Sequence, residues 1–257
     1  MLYVKQSVLS LILFATSCVW AQGSNGPVFN GAVSNGATSN GATSNSATVK
    51  AITLHPMLKQ VLDQTGLVGG NTLASPAFTW TIETTRPFKQ ARVVEETYRP
   101  TSMHGVNQYT YWVVSPKPDD KVLEELKKPQ PNVFSVRGLE RFQETDQKLS
   151  FSIGALALPP AIAKQFDLLV VFEKRQMNQQ CAVMSVRDAA AWNPSIKGQA
   201  SVITCEGKGQ YLGGTVTIVS TILYFHSLGM FLNEREDIKS PIGNFSIVKK
   251  IAQFKLL

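Results

Sequence analysis

The chain has 257 residues, of which 44% are hydrophobic and 17% charged, with a formal charge of +7. This excludes a wholly disordered chain, and three cysteines exclude a cysteine-dense mini-scaffold. The moderate positive balance suits an anionic surface or a glycan, and without a dense Lys/Arg tract it does not point to nucleic acid.

The N-terminus has the layout of an export signal. Lys5 gives a short basic segment, Ser7 to Cys18 is largely apolar, and Val19-Trp20-Ala21 places compact residues before Gln22. Residues 1–21 are expected to be a signal peptide cleaved after Ala21. The apolar run is shorter than the roughly 20 residues a spanning helix needs. Ala15-Thr16-Ser17-Cys18 loosely resembles a bacterial lipoprotein box, so lipidation of Cys18 is the alternative. Cleavage after Ala21 leaves Cys181 and Cys205, and an even pair in an exported chain reads as one disulfide. The expected location is the periplasm or the outer membrane, with secretion as the alternative.

Residues 22–48 form a low-complexity tract. It repeats Asn30-Gly-Ala-Val-Ser34, Asn35-Gly-Ala-Thr-Ser39 and Asn40-Gly-Ala-Thr-Ser44, then decays. It has no charge and too little apolar surface to offset its ordering entropy, so it reads as a disordered tether.

Folded structure is expected from Val49 to Leu257. His55 to Leu62 reads as a helix with Thr53 as cap and Pro56 in the first turn, ended by Gly66, Gly69 and Gly70. Residues 77–115 alternate in strand fashion: Phe78, Trp80 and Ile82, then Arg92 to Tyr98, then Gln108 to Val114. A charged helix is expected over Lys121 to Lys128. Strands follow over Val133 to Phe142, interrupted at Gly138, and over Leu149 to Ile153.

Leu158-Pro159-Pro160 is expected to open a helical turn through Phe166, and Leu168 to Phe172 a central strand. Cys181 to Val186 and Ser201 to Cys205 are candidate strands, with a small helix or turn expected over Asp188 to Trp192. Gln210 to Asn233 carries no formal charge and is long enough to span a membrane. Its threonines, serines and His226 instead favour two strands, about 214–225 and 228–233. Asn233 to Asp237 is expected to be a solvated turn, and Phe245 to Phe254 a last strand. The fold class is mainly β, antiparallel and sandwich-like, with two or three short helices. Two small β subdomains joined near 115–132 are the alternative.

The search for chemistry finds no catalytic set. His55, His104 and His226 share no context, and no metal-ligand spacing is present. No nucleophile elbow or phosphate-binding glycine loop is found; hairpin turns explain Gly207-Lys208-Gly209 and Gly213-Gly214. No metal or small-molecule cofactor is expected. Glu95-Glu96, Glu124-Glu125, and Glu234 with Glu236 and Asp237 are expected on solvated surfaces. Tyr109 and Tyr111 share one strand face and Trp112 lies on the other. With Trp112 buried, Tyr109, Tyr111, Arg92 and Arg99 become candidate partner-binding residues.

The function expected from these readings is non-enzymatic. The chain is expected to be a binding or structural subunit of a bacterial envelope assembly of secretion, conjugation or pilus type, with other envelope proteins as partners. The alternatives are a secreted glycan-active hydrolase or glycan-binding protein, and a membrane-anchored subunit using 210–233.

Overall fold

The computed structural model describes residues 49–69, 72–87, 89–115, 132–154, 156–172, 175–211, 214–241 and 243–257. The expected signal peptide, Cys18, the repeat tract and the expected charged helix at Lys121–Lys128 lie outside the described residues.

The fold is mainly β and antiparallel, as expected. After one helix, α1 (Pro56–Thr65), come twelve strands. They are β1 (Phe78–Arg86), β2 (Lys89–Pro100), β3 (Val106–Ser115), β4 (Val133–Val136), β5 (Glu140–Gln143) and β6 (Phe151–Ile153). β7 (Gln165–Phe172), β8 (Arg175–Asp188), β9 (Gln199–Tyr211), β10 (Gly214–Phe225), β11 (Met230–Ser240) and β12 (Gly243–Leu256) follow. All twelve belong to one sheet, in the order β5-β4-β3-β2-β1-β12-β11-β10-β9-β8-β7-β6. β3 and β4 pair directly, so the strands before and after 116–131 belong to one sheet.

The sheet curls over on itself. Trp80 of β1 and Phe225 of β10 lie with ring centroids 6.3 Å apart, although their strands are three places apart in the order, about 14 Å across a flat sheet. At the two ends of the order, Phe142 of β5 and Phe151 and Ile153 of β6 join one apolar cluster with Leu58 and Leu62 of α1. The helix thus covers the gap between the edge strands, and no ladder joins β5 to β6 among the described residues.

β11 and β12 pair only from Ser240–Gly243 to Arg235–Val248. Beyond that point β12 stays with β1 and β11 stays with β10, so the sheet splits. The faces that separate close on a second apolar cluster: Trp80, Ile82, Tyr98, Tyr109 and Ile251 from one side, Leu223, Phe225, Met230 and Leu232 from the other. A 3-10 turn at Ala189–Ala191 enters the split, capped by Asp188, whose Oδ1 accepts from the Ala190 amide at 2.9 Å. Trp192 Nε1 donates to Glu234 Oε1 at 2.8 Å and Asn193 Nδ2 donates to the Ile251 carbonyl at 3.3 Å, bridging β11 and β12 where their ladder stops.

Several local expectations are corrected. The cap of α1 is His55, whose Nδ1 accepts from the Met57 amide, rather than Thr53; Gly66 ends the helix at φ 68°, as a residue without Cβ can. Leu158-Pro159-Pro160 opens no helical turn, because Ala163 takes a left-handed φ of 62° and the chain enters β7 at Gln165. β7 is not central: only β6 lies beyond it. Asn233 to Asp237 is not a turn but continues β11, with Glu234 as a bulge between pairs Thr221–Arg235 and Ile222–Asn233. Gly207 and Gly209 lie inside β9, not in a hairpin. A Cβ on Gly207 would meet Gln179 Cγ at 2.6 Å, so close cross-strand packing explains this glycine. The uncharged run Gln210–Asn233 folds as the end of β9, all of β10 and the start of β11, and no described helix is long and apolar enough to cross a membrane.

The expected disulfide is present. Cys181 and Cys205 face each other on β8 and β9 and are bonded, both buried. Their sequence separation of 24 gives a chain-entropy stabilisation of roughly 3 kcal/mol. Cys181→Ala is expected to cost about 2–5 kcal/mol in denaturant unfolding, and the native protein to show no thiol under denaturing, non-reducing conditions. Two titratable thiols would refute both.

Candidate functional site

The site with the most chemistry is a carboxylate that sequence reasoning placed on a wet surface. Glu95 and Glu96 do point to opposite faces of β2, as alternation requires. Glu96 points inward. Its register partners are Trp80 on β1 and Tyr111 on β3, with Tyr98 and Tyr109 one pair further along. Cross-strand alternation therefore gathers four aromatic side chains around one carboxyl group.

Glu96 accepts four hydrogen bonds. Trp80 Nε1 and the Tyr98 hydroxyl donate to Oε2, each at 2.9 Å. The Tyr109 hydroxyl donates to Oε1 at 2.9 Å and Arg141 Nη2 donates to the same oxygen at 2.7 Å. Arg141 comes from β5 and lies over the Tyr109 ring, 4.2 Å from its centroid. The Glu96 side chain is 13% exposed and that of Arg141 31%.

The electrostatics follow from this geometry. Burial pushes the Glu96 carboxyl up, but the Arg141 guanidinium and the hydrogen bonds from Trp80 and Tyr98 outweigh it and hold the group below its usual range. Burial, then the Glu96 charge, pushes the Tyr98 and Tyr109 hydroxyls well up, so they remain donors. Burial lowers Lys249, partly offset by Glu236 and Glu96; burial raises Glu236, whose Oε1 accepts from Asn233 at 2.5 Å. Glu96 is thus an ionised acceptor with both oxygens engaged, an arrangement that fixes a core and leaves little capacity for proton transfer.

Of the candidate partner-binding residues, Tyr109, Tyr111 and Arg92 share the inner face, and Arg99 does not. Tyr109 is 2% exposed and belongs to the core, and Tyr111 is half-buried and stacks on it at 5.9 Å. Trp112, expected inside, is half-buried on the opposite face. The expected facing of β3 is therefore reversed, because three phenol and indole groups find a carboxylate inside and so lose little by burial. Arg92 is half-buried on the inner face with the tyrosines, while Arg99, exposed, lies on the outer face. In thermal unfolding, Tyr109→Phe is expected to cost about 1.5–3 kcal/mol, the range for a hydrogen bond to a charged group. Trp112→Ala is expected to cost less than Tyr109→Ala, and the opposite order would restore the sequence-based facing.

Ser201 and His226 form a second polar contact, Oγ to Nε2 at 2.8 Å. Ser201 is fully buried and its hydroxyl donates to the Pro160 carbonyl at 3.1 Å. The serine proton is thus already engaged, and His226 acts as donor toward it, the reverse of a base activating a nucleophile. Among the described residues no group of three or more His, Cys, Asp or Glu is placed to hold a metal ion.

One feature of the backbone remains open. β4 pairs with β3 only at Val106, Asn107 and Gln108. From Tyr109 to Ser115, no described strand pairs with β3 on the side away from β2. Val114 on this stretch is 50% exposed. Comparison with family models, with curated proteins and with solved structures finds no match for the chain.

Proposed function

We propose that the chain is an exported, non-enzymatic protein of the bacterial cell envelope, a binding or structural subunit of a larger assembly. The observation that carries this reading is the edge of β3 at Tyr109–Ser115, which no described strand pairs on the side away from β2. An unpaired strand edge is a template for an added strand, whose main-chain hydrogen bonds supply affinity. The occupant is an extended segment of a partner envelope protein. The export-type N-terminus and the Cys181–Cys205 disulfide fit an oxidising compartment. The ionised, four-fold hydrogen-bonded Glu96 argues against the glycan-hydrolase alternative for this carboxylate, since an acid catalyst needs a raised pKa.

Strand geometry supplies the test. Of two consecutive β3 residues, one turns its N–H and C=O toward β2 and the other toward the open side. Thr110→Pro and Tyr111→Pro are therefore expected to differ. One breaks a ladder bond and destabilises the fold; the other leaves the fold largely intact and abolishes co-purification with the partner from the native host. Recovery of the wild type as a lone monomer, or full partner recovery with both variants, would overturn the proposal.

A further inference from the structure

At the β1–β2 end of the inner face, the register collects cations. Thr84 of β1 lies opposite Arg92 of β2 and opposite Lys249 of β12. Directly opposed residues share a face with Cβ atoms about 5 Å apart, so Arg92, Thr84 and Lys249 form one row across three strands. Arg86, two residues along β1, shares that face about 7 Å further on. Arg86, Arg92 and Lys249 are all half-buried, beside the hairpin that opens to solvent.

These three charges lack direct partners. Among the described residues, the ion pairs are Lys59–Asp63, Arg141–Glu96 and Arg235–Asp237. Arg86 Nε is buried and has no hydrogen-bond partner. The acids nearest this face, Glu96 and Glu236, are hydrogen-bonded to other donors and offset Lys249 only in part, and Arg86 and Arg92 make no ion pair among the described residues. Arg86 feels burial and the Arg92 charge, both unfavourable to its own cation. Like charges gathered this way repel in a medium less polar than water, and an anion between them removes that repulsion.

We propose that Arg86, Arg92 and Lys249, with the Thr84 hydroxyl among them, bind a phosphate-type oxyanion, carried by free phosphate or by a phospholipid headgroup. Two guanidinium forks offer paired N–H donors matched to phosphate oxygens, and the ammonium adds a third charge. A single carboxylate would be satisfied by one arginine; three cations and a hydroxyl fit the larger charge and four oxygens of phosphate. The site faces inward from β1, β2 and β12 and is separate from the β3 edge.

The test uses the full-length protein in chloride buffer. Titration with inorganic phosphate, read by calorimetry and by the shift in Tm, addresses the free ion. Co-sedimentation with phosphatidylglycerol vesicles, against phosphatidylcholine vesicles, addresses the headgroup. Arg86→Gln and Arg92→Gln are each expected to weaken binding roughly tenfold or more. Lys255→Gln removes an equal charge from the exposed outer face at the far end of β12, opposite Thr79, and is expected to leave binding unchanged. Thr84→Val keeps every charge and should also weaken phosphate binding, so it carries the test if circular dichroism shows that an arginine variant misfolds. Variant-sensitive binding of phosphate, of anionic vesicles or of both supports the site and names its source. Binding of neither, or binding that the Arg86, Arg92 and Thr84 variants leave intact, overturns it.

Discussion

Arg137→Met is expected to lower stability by about 3–5 kcal/mol in urea unfolding. Arg137 is fully buried, and its only charge-assisted hydrogen bonds go to backbone carbonyls. Nε donates to Leu67 at 2.7 Å, Nη1 to Gly229 at 2.7 Å and Nη2 to Leu73 at 3.0 Å. One side chain on the β4–β5 turn thereby ties the segment after α1, the approach to β1 and the β10–β11 turn. Methionine fills similar volume but leaves three carbonyls without donors. Arg137→Lys keeps the charge, yet one ammonium cannot follow three diverging carbonyls, so most of the loss is expected to persist. A cost below about 1 kcal/mol for both variants would show that solvent or rearranged backbone takes over.

Glu96→Gln is expected to cost about 3–5 kcal/mol, because it leaves Arg141 half-buried without its counter-charge and sets an amide donor among three donors. The same carboxylate predicts a pH dependence. Its folded pKa lies below the unfolded value, so the stabilisation is present above the unfolded pKa, about 4.3, and is lost as pH falls through the lower folded pKa. Acid titration of wild type and variant should therefore converge below pH ~4. Parallel curves through that range would place the carboxylate outside the acid transition. Glu236, raised by burial, has the opposite sign: its contribution weakens as pH rises through its folded pKa.

Much of the strand content was legible in the residues. Alternation of Phe78, Trp80 and Ile82 and of Tyr109 and Tyr111 identified strands, and Cys181 and Cys205 identified the disulfide. The facing of β3 was not legible, because alternation says which side chains share a face but not which face is inside. Bulk alone favoured burying Trp112; the deciding partner, Arg141, comes from β5, 29 residues later in the sequence. Glu96 was misjudged for the same reason. An acidic residue reads as solvated unless its donors are visible, and they arrive from four different strands. The residues 233–237 looked like a turn because five polar residues in succession hide the alternation that a bulge at Glu234 interrupts. The Arg86–Arg92–Lys249 row depends on registers of β1 with both neighbours, one of which is the last strand of the chain.

That last strand sets the order in which the protein can be completed. Among the described residues, the only ladder between the β1–β5 half and the β6–β12 half runs from β1 to β12, and it extends from Thr85–Val248 to Phe78–Leu256. A chain emerging N-terminus first can form β1, β2 and β3 early, yet β1 keeps one bare side until the final residues appear. The inner surface of β1, with Trp80 and its ring of phenols, stays without its opposing wall for the whole of synthesis. Such a molecule keeps apolar surface uncovered for a long interval, and loss of the C-terminal residues would remove the ladder that joins its two halves.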